Sequence, residues 1–228
     1  MEEAKKVCGF YAAELIEPGM TIGIGSGSTV FWFIRELGKR IKSGLVVRAV
    51  VTSSNTEQLA RQAGVDLIDL SAVDRIPLTI DGADEIDPRG QLIKGGGGAL
   101  LREKIVAAAS EELVIIADNS KLVQQLGKFP LPIEVIPFGY KQVQQNILSS
   151  LVCKKITLRK KNGEIFITDE GHYILDCEFE KIEDTEAMNR MMHLIPGVVE
   201  TGLFINMATK AIIGFDSGKV EVLKYVNH

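Results

Sequence analysis

Four consecutive glycines, Gly95 to Gly98, restrict what this chain can fold into more than any other segment. Such a run loses a great deal of conformational entropy on ordering and adds no side chain to a strand or helix interior. It is therefore a loop in which backbone comes very close to another group, and a helix is predicted immediately after it, over ALLREKIVAAA. A glycine loop feeding a helix N-terminus presents bare N–H groups at the positive end of a peptide dipole, which suits an anion or a developing oxyanion. The neighbouring sequence strengthens this reading. The 26 residues from Thr79 to Lys104 also hold Asp81, Asp84, Glu85, Asp87, Lys94 and Glu103. Carboxylates, a lysine and N–H donors gathered in one segment make a site for moving protons on a polar, negatively charged small molecule.

Short apolar runs alternate with amphipathic segments over the first part of the chain, the pattern of a parallel sheet with crossover helices. The predicted strands are MTIGI (20–24), VVRAVV (46–51), DLIDL (66–70), IPLTIDG (76–82) and ELVIIAD (112–118). VFWFIRELGKRIKSG and TEQLARQAG between them carry apolar residues at helical spacing and end in glycine. Pro130, Pro132 and Pro137 then cluster at a predicted domain boundary. Beyond it come IEVIP, a helix from Lys141 to Leu151, the strands KITLRK, EIFITD and YILDCEF, a second helix in EDTEAMNRMMHLIPG and a last strand, VVETGLFI. This order predicts a small α+β sandwich resembling a ferredoxin-like split βαβ. The tail, KAIIGFDSGKVEVLKY, reads as a hairpin around Asp216-Ser217-Gly218 that rejoins the first sheet. The expected organisation is thus an α/β fold. A Rossmann-like, mostly parallel domain takes residues 1–130 plus 206–228, and a ferredoxin-like α+β domain takes 131–205.

Charge and composition exclude several classes of function. The net charge is −4 and no basic run exceeds the LRKK of Leu158 to Lys161, so no nucleic acid partner is expected. No stretch approaches 18 apolar residues, so no membrane association is expected, and the N-terminal segment has neither signal-peptide nor transit-peptide composition. Cys8, Cys153 and Cys177 are odd in number and far apart. They read as reduced thiols without a catalytic role in a cytoplasmic protein.

Each motif also has a plain structural alternative. Gly23-Ile-Gly-Ser-Gly-Ser-Thr29 follows a strand and opens a helix. It is either a phosphate cradle using backbone N–H groups and the hydroxyls of Ser26, Ser28 and Thr29, or a tight turn with Ser28 or Thr29 as N-cap. Ser28 occupies the third glycine position of a dinucleotide fingerprint, and the P-loop lysine is missing. Thr52-Ser-Ser-Asn-Thr-Glu57 either lines the same crevice or is an N-cap with Glu57 closing a capping box. Asp87-Pro88-Arg89-Gly90 reads as a plain turn. Glu103, considered alone, reads as a salt-bridged surface residue, and only the company of Asp81, Asp84, Lys94 and the glycines argues otherwise. His172, His193 and His228 are too scattered to form a metal site.

Together, GIGSGST, TSSNTE, DGADEID, KGGGGALLREK, IADNSKLVQQLGKFPLPIEV and IPGVVETGLF resemble the type A ribose-5-phosphate isomerase family over essentially the whole chain. The resemblance implies a Rossmann-like domain with a ferredoxin-like partner domain, and reversible conversion of D-ribose 5-phosphate to D-ribulose 5-phosphate through a cis-enediolate, with no cofactor and no metal. It implies Glu103 as proton acceptor, with Asp81, Asp84 and Lys94 flanking the reacting carbons. Substrate contacts are implied for Ser26, Gly27, Ser28 and Thr29 of the first loop, for Gly82 and Ala83, and for Gly95, Gly96 and Gly97. Lys121 of DNSK would meet the phosphate, and an N-terminal lysine, Lys5 by its spacing to Gly9, would assist. The partner implied is a sugar phosphate, and the assembly a homodimer or a dimer of dimers. Two rivals are a non-catalytic sugar-phosphate sensor, which has no need of Glu103, and a deaminase or CoA transferase of related fold, which DGADE with KGGG…REK disfavours.

Overall fold

A computed structural model describes residues 1–150 and 153–225. In chain order its elements begin with α1 (Glu2–Glu14), β1 (Thr21–Ile24), α2 (Ser28–Lys42), β2 (Arg48–Val51), α3 (Ser54–Gln62), β3 (Asp66–Leu67) and β4 (Ile76–Asp81). Then come β5 (Glu85–Ile86), β6 (Leu92–Ile93), α4 (Leu100–Ala108), β7 (Ser110–Asp118), β8 (Leu131–Val135), α5 (Tyr140–Ser150), β9 (Lys155–Leu158), β10 (Lys160–Lys161) and β11 (Glu164–Ile165). The last are β12 (Tyr173–Glu178), α6 (Thr185–His193), β13 (Val198–Thr201), β14 (Leu203–Phe204), β15 (Lys210–Gly214) and β16 (Val220–Lys224). The chain divides into two compact units. The first comprises Met1–Ala83, Arg102–Lys121 and Asn206–His228, the second Asp84–Leu101 and Leu122–Ile205.

The first unit is built on a seven-stranded sheet in the order β16-β15-β7-β4-β1-β2-β3. Every pair in it is parallel except β15 with β16. Buried on both faces, β1 is a continuous apolar run rather than an alternating one. Val30, Phe33, Ile34 and Leu37 of α2 recur at helical spacing and pack in one core cluster with Cys8, Ala12, Ile22, Ile24, Ile80, Val114 and Ile116. Small residues on α1 allow close approach: a Cβ on Gly9 would lie 2.8 Å from the Phe33 nitrogen. The tail does rejoin this sheet, as expected, through β15 against β7. Its turn places the Asp216 carboxylate where it accepts the Ala4 N–H at 3.3 Å, at the N-terminal end of α1.

The second unit follows β8-α5-β9-β12-α6-β13, with all pairs antiparallel in the order β13-β8-β12-β9. This is the ferredoxin-like arrangement. Its core joins Leu131, Ile133 and Val135 of β8 to Ile147, Leu175, Met192 and Ile195. Asp184 caps α6 by accepting the Ala187 N–H at 2.8 Å. Asn162 and Gly163, at φ 55° and 87°, form the two-residue turn between β10 and β11.

Four details depart from expectation. VVETGLFI is not one strand. A Cβ on Gly202 would lie 2.4 Å from the Lys94 carbonyl oxygen, and there the chain breaks into β13 of the four-stranded sheet and β14, which pairs with β6. Glu85–Ile86 and Leu92–Ile93, absent from the predicted strands, form a hairpin about the Asp87-Pro88-Arg89-Gly90 turn, which is the plain turn expected. EIFITD contributes only Glu164–Ile165. The unit boundaries also differ from a division at residue 130. Residues 84–101 and 122–130 pack with the second unit, because β5 and β6 pair with β14 and Ile86 bridges to Leu122. Leu151, the expected end of α5, lies outside the described residues. Among those described, no helix is long and apolar enough to cross a membrane.

Candidate active site

In the first unit, β1 and β4 are neighbours at the point where strand order reverses, the position beyond whose carboxyl ends open α/β sheets bind ligands. Asp81 closes β4 fully buried, and its Oδ1 accepts the N–H groups of Ser26 at 3.0 Å and Gly82 at 2.7 Å. That seat requires glycine across from it. A Cβ on Gly25 would lie 1.9 Å from Asp81 Oδ1, and one on Gly23 would lie 1.9 Å from Thr79 Oγ1. Ser26 Oγ is within 2.9 Å of Thr52 Oγ1, 2.8 Å of Ser53 Oγ and 3.1 Å of Thr56 Oγ1, while Thr56 donates to the Gly25 carbonyl at 2.8 Å. The TSSNTE segment therefore braces the SGST loop and caps α3 as well, Ser53 Oγ accepting the Thr56 N–H at 3.1 Å. Glu57 lies one residue beyond the N3 position of this cap, and its carboxylate pairs with Arg61 at 2.8 Å. Neither Ser28 nor Thr29 is the N-cap of α2. That position belongs to Gly27, at φ 113°, with no side-chain cap, so the tight strand-to-helix turn is present but these hydroxyls do not cap it.

Glu103 stands on α4 at 4% exposure, which corrects the surface reading. One turn further along the same face, Val106 packs with Val50 and Ile76, so the face that carries Glu103 is turned inward. Lys121 is half-buried in the short turn Asn119–Lys121 after β7, a turn fixed by Asp118 accepting the Ser120 N–H at 3.0 Å. Gly214 pairs with Asp118, and a Cβ on it would lie 1.9 Å from the Ala4 carbonyl oxygen. The start of α1, with half-buried Lys5, accordingly stands at the carboxyl ends of β7 and β15. Lys6 instead pairs with Glu3 at 3.3 Å.

In the second unit, β6 runs into Lys94 and then the glycine loop. Lys94 is 2% exposed, its Nζ lies 5.3 Å from the centre of the Phe204 ring, and its N–H donates to Gly202 at 2.9 Å. Asp84 Oδ2 accepts the Gly96 N–H at 2.7 Å, and the Gly98 N–H closes a turn to the Gly95 carbonyl at 3.0 Å. The loop is thus a narrower array of donors than its composition suggests, because one N–H is bonded to Asp84 and another within the loop. Gly95 and Gly98 adopt φ of 100° and 85°, and a Cβ on Gly98 would lie 2.4 Å from the Phe166 ring.

The remaining acids of this segment serve the fold. Glu85 accepts the N–H groups of Gly127 at 2.7 Å and Phe129 at 2.6 Å, and Asp87 accepts those of Arg89 and Gln91 at 2.9 Å. His172 lies 3.0 Å from Glu134, whose carboxyl burial pushes above its ordinary value, and His193 lies 3.0 Å from Glu200; His228 is outside the described residues. No group of three or more metal-ligating side chains occurs among the described residues. Burial pushes the Cys8 thiol up to about 12, away from nucleophilic use at neutral pH. Arg159 is the residue that sequence reasoning missed. Its Nη1 donates to the Gly95 carbonyl at 2.6 Å, and its Nε donates to Asp176 at 2.9 Å. Its only sequence signal is the LRKK run, whose charge says nothing of these acceptors.

The chain as a whole is similar to known proteins. Residues 48–218 match the family model described as Ribose 5-phosphate isomerase A (phosphoriboisomerase A). A ribose-5-phosphate isomerase A of Bacillus cereus is 56% identical over 219 residues, covering 96% of this chain and 99% of the relative. A ribose 5-phosphate isomerase structure from Plasmodium falciparum superposes with a TM-score of 0.94 at 42% identity, covering 98% of this chain and 99% of that one. A D-ribose-5-phosphate isomerase solved in complex with phospho-erythronic acid superposes at 0.92 with 39% identity, covering 96% and 97%.

The Asp81 seat yields a contrast in stability. Gly25→Ala must displace the carboxylate and should cost about 1–3 kcal/mol, whereas Gly97→Ala, with nothing within 4 Å of its Cβ, should be near neutral. Thermal melts of the two variants measure the difference, and equal midpoints would contradict the seat as described.

Proposed function

Because the chain belongs to the ribose 5-phosphate isomerase A family, we propose that it interconverts D-ribose 5-phosphate and D-ribulose 5-phosphate, a step of the pentose phosphate pathway, by moving one proton between adjacent carbons. Glu103 carries the reading: a carboxylate held at 4% exposure on the helix that follows the glycine loop. Acids buried to this depth are rare and are retained for partners or for chemistry. Glu103 takes the C2 proton of the open-chain aldose and returns it to C1. One carboxylate serves both carbons because they are neighbours on one face of a planar cis-enediolate.

Negative charge grows on O1 and O2 in that intermediate. Lys94 and the glycine loop stabilise it there, where preorganised donors are worth most. Asp81 and Asp84 bond the two hydroxyls and pass their protons, and one of them assists opening of the furanose ring. The relative bound to phospho-erythronic acid supports this reading. That acid carries a planar, anionic oxygen pair and a phosphate on one short chain, the charge distribution of a phosphorylated enediolate. The uncapped start of α2 with Ser26, Gly27, Ser28 and Thr29 holds the phosphate together with Lys121, and Lys5 assists. The reaction involves no cofactor and no metal. The working form is a cytoplasmic homodimer or dimer of dimers, an assembly that sedimentation at assay concentration tests and a monomer would contradict.

Glu103→Gln keeps the shape of the base and removes its proton affinity, so kcat should fall about 100-fold or more with KM little changed. A variant turning over near the wild-type rate assigns the base wrongly. Run in EDTA, the wild-type assay should give an unchanged rate; a loss restored by one divalent ion would reject the metal-free reaction. At the other end of the substrate, Lys121→Ala removes one charge-assisted contact and should raise KM roughly 10- to 100-fold. Inorganic phosphate should then inhibit the variant less than the wild type, and unchanged KM and inhibition would misplace the phosphate.

A further inference from the structure

The peptide group joining Gly95 to Gly96 is held at both ends. Its carbonyl oxygen accepts from Arg159 Nη1 at 2.6 Å, and its N–H donates to Asp84 Oδ2 at 2.7 Å. The same Nη1 lies 3.3 Å from the Gly96 carbonyl oxygen, so the next peptide turns its carbonyl toward the guanidinium too. A trans peptide points its C=O and N–H in opposite directions. The N–H of Gly97, on the exposed tip of the loop, is thereby aimed away from Arg159. Without such a clamp the run would be free to reorient, since glycine backbones accept positive and negative φ almost equally.

Arg159 is itself fixed. Its Nε and Nη2 grip the Asp176 carboxylate, with the Nε bond at 2.9 Å, and its main-chain N–H donates to Ile174 at 2.8 Å. The arginine side chain is 13% exposed. A planar fork of five donors can grip a carboxylate on one edge and carbonyls on another, which the single ammonium of lysine cannot.

We infer that Arg159 is a positioning residue for the isomerisation. It sets the orientation of the glycine loop, so that Gly96 stays bonded to Asp84 and the Gly97 N–H is presented to a substrate oxygen. Bonding two carbonyls to a cation also polarises their peptides and strengthens the donors at the far ends. The inference rests on the placing of Asp84 and the glycine loop at the reacting carbons proposed above.

The test compares Arg159→Ala, Arg159→Lys and Asp84→Asn in steady-state turnover of ribose 5-phosphate, alongside thermal melts. Arg159→Ala should lose about 10- to 100-fold in kcat, close to the loss from an oxyanion donor, with KM shifted far less. Guanidinium chloride at low millimolar concentration should restore part of that turnover in Arg159→Ala and none in Asp84→Asn. Arg159→Lys, which keeps the charge and loses the fork, should remain impaired, and it carries the test if the alanine variant does not fold. Wild-type kcat in either Arg159 variant, with Asp84→Asn impaired, overturns the inference and leaves the site reading standing. Wild-type kcat in Asp84→Asn as well overturns the site reading itself. A loss in Arg159→Ala that only tracks the fall in folded protein, without guanidinium rescue, reduces Arg159 to a structural role and also overturns the inference.

Discussion

A carboxylate buried at the carboxyl end of β4 sets the terms for the first unit. Removing an ionised carboxylate from water costs several kcal/mol unless donors replace the water. Asp81 receives the N–H groups of Ser26 and Gly82 on one oxygen, and these bonds tie the end of β4 to the loop that follows β1. The requirement propagates backward into the sequence. Residue 25 has to be glycine because the carboxylate fills the space of a Cβ, and residue 23 because Thr79 does the same one step earlier. Much of the GIGSGST pattern therefore records where a neighbouring strand points its side chains.

In the second unit, the carboxylates of one short segment differ in how fully backbone donors hold them. Glu85 and Asp87 each accept two backbone N–H groups and hold loops in place. Asp84 accepts one, from Gly96, so one of its oxygens is fixed while the residue stays half-buried. Lys94 is buried beside the face of Phe204, where its positive charge meets the electron-rich ring. The flexibility expected of four glycines is largely removed: Asp84, Arg159 and an internal turn each restrain part of the loop.

The parallel sheet was legible because strands buried on both faces read as apolar runs, and the tail hairpin because Asp216-Ser217-Gly218 separates an apolar run from an alternating one. The motif segments were legible for a different reason: DGAD and KGGGG are improbable unless several constraints act at once. What sequence hid was direction. Glu103 is flanked by Arg102 and Lys104 and looks like a surface residue, because nothing local says that Val106 packs against Val50 and Ile76. VVETGLFI looked like one strand because the crowding at Gly202 comes from Lys94 and Pro132, remote in sequence. Arg159 was invisible for the same reason, since its acceptors at Gly95 and Gly96 lie more than sixty residues away.

The order in which the strands are made bears on how this chain is born. β7 ends at Asp118, but its outer neighbour β15 begins at Lys210, and all of residues 122–205 are synthesised first. Until then β7 presents an unpaired edge carrying Leu113, Val114, Ile115 and Ile116, a sequence well suited to pairing with another nascent chain. The four strands of the ferredoxin-like sheet, ending at Thr201, all precede β15 in the chain. Slow translation or truncation before residue 210 therefore leaves a folded module attached to an open, adhesive edge. For this chain, the interval between those two strands is the time for which that apolar edge has no native neighbour.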